Sequence, residues 1–533
     1  QMPGLQFGIA HGSGLPELKY QGSTGGYVLF MIDGERVAGE GSSNNIDYNL
    51  VDIDNVERVE IVKGPMSTLY GSQAMGGVVN IITRDAGRPF TGEVSARYGT
   101  NDEQKYSLSL GTKQGRFSSM TTGSYRKRDA YAVEDEEGQI SYTHYKDIHG
   151  QDSVVADTST LGLTSVKGFE IWQASEKLSF TFNERLRASL KGAYYHNKVL
   201  DYAAGKVWDE FSNYSINPQV YYSINANHYL DVTYLYENYV KREKNNAGKS
   251  DKVFGDQTNT ARIVYTGQLG EKHLLTAGAE LNTQRLRHYW FGNGTGRVYE
   301  AQNYAVYVQE DWRVSDKFNV VAGVRGNIHS KYGFHASPSV SLMCRVGVLA
   351  LRGGYGMGFR IPSLKELYSE YDMGDNGWFL ILGNEDLEPE TSHQGTLSAE
   401  VTKGIFNASV SGYYTYYENE IALGSAPDGE NQQYYNAEHA NRTGLDATAQ
   451  FRFRNGLELR AAYAYVNANS EVDGYNRASD RPHSMTFSAS YTRAIRKVTL
   501  SAALNGWWMS SVDVWSKNSA DGYVLNTYDG RAF

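Results

Sequence analysis

The residues with most to offer a ligand lie between Gly358 and Glu390. Gly358-Phe359-Arg360-Ile361-Pro362-Ser363-Leu364-Lys365-Glu366-Leu367-Tyr368 is followed, after a loop, by Gly383-Asn384-Glu385-Asp386-Leu387-Glu388-Pro389-Glu390. Tyr368, Tyr371, Asp372, Met373, Asp375, Asn376 and Trp378 in this region suit stacking on a planar or bulky molecule, or holding a hard cation through oxygens. The two boxes also have a structural reading, with Pro362 and Pro389 stopping ladders where no donor is needed. Among the 12 histidines, His11 stands out because it sits among the glycines of Gly8-Ile9-Ala10-His11-Gly12-Ser13-Gly14.

No catalytic constellation accompanies them. A serine nucleophile needs a base within reach and a turn that exposes it, and Gly-x-Ser-x-Gly is missing, as are Cys-x-x-Cys and His-Glu-x-x-His. The chain reads as a protein that is not an enzyme. Its net charge of −9, without any dense Lys/Arg grouping, argues against nucleic acid as a partner. The single cysteine, Cys344, excludes an internal disulfide. No apolar run approaches the roughly 18 to 20 residues of a spanning helix, yet a transmembrane barrel stays open, because each strand shows lipid only alternate side chains.

The elements that would position these residues are strands. In Leu186–Tyr194, Leu186, Ala188, Leu190, Gly192 and Tyr194 share one face and Arg187, Ser189 and Lys191 the other, which predicts lipid outside and water inside. Leu445–Phe453 and Leu457–Tyr465 alternate likewise about Asn455-Gly456, which predicts a hairpin with a type I′ turn. Leu397–Val401 leads through Lys403-Gly404 into Phe406–Val410 in the same way. Tyr413–Tyr417, Tyr194-Tyr195 and Trp507-Trp508 fall where aromatic girdles meet the membrane interfaces. A soluble sandwich or propeller would need an equally long partner surface for so many apolar alternate faces.

Ahead of the strands, Leu29–Arg84 reads as a compact mixed unit of short strands and glycine turns. Its Asp33-Gly34, Val56-Glu57-Arg58-Val59-Glu60-Ile61-Val62-Lys63-Gly64-Pro65, Leu69-Tyr70-Gly71-Ser72 and Ala74-Met75-Gly76-Gly77-Val78-Val79-Asn80-Ile81-Ile82 closely resemble the plug of TonB-dependent outer-membrane receptors. The resemblance implies an all-β membrane protein, a transmembrane antiparallel barrel of about 22 strands filled by an α+β plug. Residues 1–88 would be the plug and 89–533 the barrel, with about 20 strands present in this sequence. An energy-coupling segment before Met2-Pro3-Gly4-Leu5 and about two further strands after Phe533 would complete the family pattern. Glycine-rich plug loops such as that of His11 face the ligand in this family, and Glu57, Arg58 and Glu60 would form ion pairs between plug and barrel wall.

The boxes around Phe359, Arg360 and Pro362 and around Asn384, Asp386 and Leu387 resemble the Phe-Arg-Ala-Pro and Asn-Pro-Asp-Leu boxes of haem-type members. Looser forms occur in cobalamin and siderophore receptors. Here Ile361 stands for Ala and Glu385 for Pro, and Ser363–Gly383 holds no histidine to serve as an axial haem ligand. The function implied is import of a large metal chelate, haem or a ferric siderophore, with cobalamin as the alternative. No resident cofactor is required. The partners implied are outer-membrane lipid, the TonB complex and a surface-exposed substrate-binding lipoprotein, at the outer membrane of a Gram-negative bacterium. A passive porin or a surface adhesin is the reading from another class.

Overall fold

The computed structural model describes residues 5–9, 16–20, 26–39, 46–64, 66–72, 74–134, 140–146, 152–158, 163–200, 207–244, 249–292, 296–372, 379–472, 475–476, 481–496, 498–517, 523–528 and 531–532. Strands β1 (Leu5–Ile9) and β2 (Pro16–Tyr20) form a hairpin. Four further strands, β3 (Val28–Ile32), β4 (Glu35–Arg36), β5 (Val56–Lys63) and β6 (Gly77–Thr83), make one sheet in the order β4-β3-β6-β5. β3 and β6 run parallel, and their near-continuous apolar sequences reflect burial on both faces. Val28, Phe30, Val79 and Ile81 pack on one side, and Leu29, Met31, Ala74 and Val78 on the other. Helix α1 (Ser67–Tyr70) joins β5 to β6, closing on Gly71, whose φ of 75° follows from the tight exit.

From Thr91 onward the chain is a closed up-and-down antiparallel barrel. Its staves begin with Thr91–Tyr98, Gln104–Gln114 and Phe117–Arg128 and resume from Gly168–Thr181 to Val498–Met509. Arg531–Ala532 lies between Val498–Met509 and Thr91–Tyr98 and links the two at the Trp508–Met509 end. Connections at one end are short, as between Lys403 and Phe406 or Ile495 and Val498, and at the other end long, as in 129–167 and 361–389, so the long-loop end is the outer one. The alternation holds on Leu186–Leu200: Leu190 and Tyr194 face outward and are half exposed, whereas Lys191 points in and meets the plug.

Two local expectations are corrected. At Asn455-Gly456 only Gly456 has positive φ, 93°, and Phe453 N–H donates to Leu457 O. A type I′ turn needs both central residues left-handed, so this hairpin closes instead through a longer loop with Gly456 as its left-handed residue. In the tyrosine clusters alternation divides the rings: Tyr414 and Tyr194 lie outside, but Tyr413, Tyr417 and Tyr195 are buried inside, the last two against the plug.

Candidate functional site

The plug is seated by polar contacts at its rim. Asp47, fully buried, accepts from Tyr195 Oη at 2.7 Å and Tyr239 Oη at 3.0 Å, while its backbone neighbour Asn49 N–H also donates to it. Burial raises the Asp47 pKa even though these donors favour the charged form. Ala38 N–H donates to Glu237 at 2.6 Å and Gly39 N–H to Asp256 at 3.3 Å. Lys191 Nζ lies 2.5 Å from Asp33, and although burial pushes the Asp33 carboxyl up, Lys191 and the Thr83 donors hold it below the usual range. Glu35 pairs with Arg262, and burial dominates there, pushing the Glu35 carboxyl up to about 7. Arg325, buried against Glu280 at 2.8 Å, also donates to Leu69 O of α1 at 3.1 Å.

These cations and carboxylates, not Glu57, Arg58 and Glu60, bridge plug and wall. Arg58 pairs with Glu57 at 3.2 Å and Glu60 at 2.8 Å along β5 itself, with all three side chains about half exposed. The expectation fails because Arg58 lies between two carboxylates of its own exposed strand, which satisfy it at no cost in burial.

The two boxes come together at the outer end. Leu349–Arg360 pairs directly with Glu390–Lys403, and Arg360 and Glu390 form the terminal rung of that ladder. Arg360 Nε and Nη2 donate to Glu390 at 2.9 and 2.7 Å, while Nη1 donates to both oxygens of Glu366 at 3.0 and 2.9 Å. Glu366 belongs to α2 (Leu364–Tyr368), whose start Ser363 and Glu366 fix by a capping box. Pro362 leads into that cap. Asn384 N–H donates to Glu366 O, its amide to Tyr434 O, and its oxygen accepts from Asp386 N–H. Leu387 packs with Leu367 and Ile421, and Phe359 stacks on His335 at 5.7 Å. Plug residue Tyr27 closes this network from below, donating to Glu390 at 3.2 Å and Glu420 at 3.5 Å between the Arg360 and Arg442 guanidinium groups. Burial, then the two carboxylates, raise the Tyr27 pKa, so it stays a donor.

Above the plug lies a cavity of about 280 Å³. Plug residues Val28, Phe30 and Val37 line it, as do barrel residues Phe254 and Gln284, and Lys365 and Tyr368 of α2. Of the sequence-predicted ligand residues, Tyr368 stacks face to face on Tyr299 at 3.9 Å, with Lys331 Nζ 5.4 Å from its ring. Tyr371 stacks on Trp290 at 4.8 Å, and Lys365 Nζ lies 4.0 Å from the Trp290 ring. Asp372 pairs with Leu380 in a short loop ladder beside them. His11, Met373, Asp375 and Trp378 lie outside the described residues. Lys365, from the first box itself, completes the cluster with Trp290, Tyr299 and Lys331, whose role sequence reasoning missed because they lie on other staves and turns. Their meeting depends on barrel closure, which leaves no local period. Among the described residues, no group of His, Cys, Asp and Glu is arranged to hold a metal ion.

Residues 168–531 match the family model described as TonB dependent receptor-like, beta-barrel, and residues 1–78 match the TonB-dependent Receptor Plug Domain. The chain belongs to the TonB-dependent receptors. It is therefore an outer-membrane transport receptor of the kind that works with TonB. The "Iron-regulated outer membrane virulence protein" of Vibrio cholerae serotype O1 (strain ATCC 39541) is 25% identical over 507 residues, 89% of this chain and 72% of that protein. In structure the receptor is similar to the ferric enterobactin receptor PfeA of Pseudomonas aeruginosa, with TM-score 0.82 and 18% identity over 100% of this chain and 86% of the other. It is also similar to the siderophore receptor PirA of Acinetobacter baumannii, with TM-score 0.79 and 16% identity over 100% and 87%.

Proposed function

We propose that this receptor imports a ferric siderophore whose iron is wrapped in anionic aromatic donors, such as catecholates. The observation that carries the reading is the two ammonium groups on the cavity wall, Lys365 and Lys331, each held over a ring, that of Trp290 and that of Tyr368. The cations offset the negative charge of an anionic chelate at close range, and the rings, already stacked on one another, hold those cations in place. The relatives, an iron-regulated outer-membrane protein and receptors for ferric enterobactin and siderophores, support the same substrate class. Haem and cobalamin are the competing cargoes. His329 in the cavity wall is the feature that favours haem.

Tryptophan quenching of the purified receptor, titrated with a ferric tricatecholate, a ferric hydroxamate, haem and cobalamin, separates the readings. The tricatecholate should bind tightest, and Lys365→Met or Lys331→Met should each weaken it roughly tenfold through loss of one charge-assisted contact. Tightest binding of haem or cobalamin, indifferent to both lysines, would overturn the proposal.

A further inference from the structure

The barrel's outer surface carries a cationic cluster that neither plug nor ligand cavity uses. Arg242 on His228–Lys244 and Lys252 on Ser250–Leu269 are direct cross-strand partners. Like charges placed opposite each other in a ladder destabilise it unless something lies between them. Gly255, three residues along, is the partner of Arg287 on the next stave, and Gln257 that of Arg285. A methyl at Gly255 would lie 2.6 Å from Lys252 Nζ, so the ammonium reaches over that glycine toward Arg287. The charged groups that act on Lys252 are Arg287, Arg242 and Arg285, all positive.

Compensation is scarce. Arg285 meets Glu300 at 3.4 Å, both highly exposed; Arg242 faces Glu210 across the ladder on its other side, but that carboxylate is taken by Lys244, and among the described residues no carboxylate lies within ion-pair distance of Arg242, Lys252 or Arg287. Arg287 Nε is shut off from solvent and has no hydrogen-bond acceptor among them. Nearby lysines show the contrast: Lys244, two residues beyond Arg242 on the same stave, pairs with Glu210 at 2.7 Å, and Lys198 meets Glu170 at 4.0 Å. The uncompensated cations sit on the lipid-facing side, toward the long-loop end. On the same outward face, Leu281 lies four residues, about 13 Å, below Arg285, and Ile263 and Val232 continue the apolar surface on the neighbouring staves.

We propose that Arg242, Lys252, Arg285 and Arg287 bind the phosphorylated head of an outer-leaflet glycolipid, whose acyl chains lie along Leu281 and Ile263. Guanidinium groups match phosphate geometry through paired donors, and a phosphate between Arg242 and Lys252 converts their repulsion into a shared attraction. A soluble anion would satisfy the charges but leave the apolar strip below them unused, so the site favours a lipid. The proposal does not depend on which chelate is carried.

The test titrates the full receptor in mild detergent with bisphosphoryl lipid A, its dephosphorylated form and inorganic phosphate, counting bound lipid by native mass spectrometry. Bisphosphoryl lipid A should bind saturably, and Arg242→Gln/Lys252→Gln/Arg287→Gln should weaken it roughly a hundredfold. The charge-keeping Arg242→Lys/Lys252→Arg/Arg287→Lys should stay within about threefold of wild type, and chelate binding should be unchanged in both. If the triple glutamine variant fails to fold, Arg287→Gln alone should still show a loss of about fivefold. Equal affinity in the glutamine variants, equal binding of the dephosphorylated lipid, or displacement by phosphate at matched concentration would overturn the proposal.

Discussion

Replacing Arg360 by Met tests whether the joined boxes anchor α2 and the plug or are merely adjacent. The substitution keeps most of the aliphatic volume but removes four donor contacts of 2.7 to 3.0 Å to Glu366 and Glu390. It strands two carboxylates that are 2% and 0% exposed. Breaking a buried pair from one side costs about 3–5 kcal/mol, because the remaining charge has lost its solvent and its partner. That cost falls on the element that can move, so the opening equilibrium of α2 should rise roughly 10²- to 10⁴-fold. Hydrogen exchange read by mass spectrometry should show lost protection in 364–372 and in plug residues beside Tyr27, with 186–200 unaffected. Arg360→Met/Glu366→Gln/Glu390→Gln should regain most of it, since neutral partners no longer suffer the desolvated charge. Protection of 364–372 within about threefold of wild type, or loss spread evenly round the barrel, would refute the reasoning.

Glu35 sets a pH response. Its carboxyl is pushed up to about 7 by burial, against about 4.3 in an unfolded chain. The folded state therefore binds the extra proton between those values. The contribution to stability grows as pH falls through 7 and levels off below about 4.3, on the order of 3 kcal/mol in all. A protonated-carboxyl infrared band present at pH 5.5 and absent at pH 8.5, and missing in Glu35→Gln, would check it. Gly39 has φ 103° and lies under the Tyr239 ring, where a Cβ would be 2.9 Å from ring carbons. Because Asp47 holds that ring, Gly39→Ala should loosen the plug by about 1–3 kcal/mol, seen as faster exchange in 28–38. Charge reversal at Glu57 and Glu60 should leave plug protection unchanged, since their ion pair with Arg58 stays within one exposed strand.

What the sequence made legible followed from short-range rules. The period of two on Leu186–Tyr194 told inside from outside, and the order of motifs from Asp33 to Ile82 marked the plug. On Tyr413–Tyr417 the same period sends Tyr413 and Tyr417 inward and only alternate rings to the membrane, so a run of tyrosines is not by itself a girdle. Arg58 misled because a charged strand looks alike whether its partners are its own neighbours or the opposite wall. Tyr27, Asp47 and Trp290 carried no local signal. Each acquires its role from residues more than 80 positions away, such as Glu390, Tyr195 and Tyr371, and register and closure decide those meetings.

The direct pairing of Leu349–Arg360 with Glu390–Lys403 makes 361–389 a detachable cassette in the barrel's architecture. The ladder passes from one stave to the next without it, and its two ends meet at one rung clasped by Arg360 and Glu390. A lineage can therefore rewrite the cassette and present a different mouth to the medium while the staves keep their registration. The clasp itself marks the graft junction: a cassette exchanged between receptors should fold wherever that arginine and glutamate are kept.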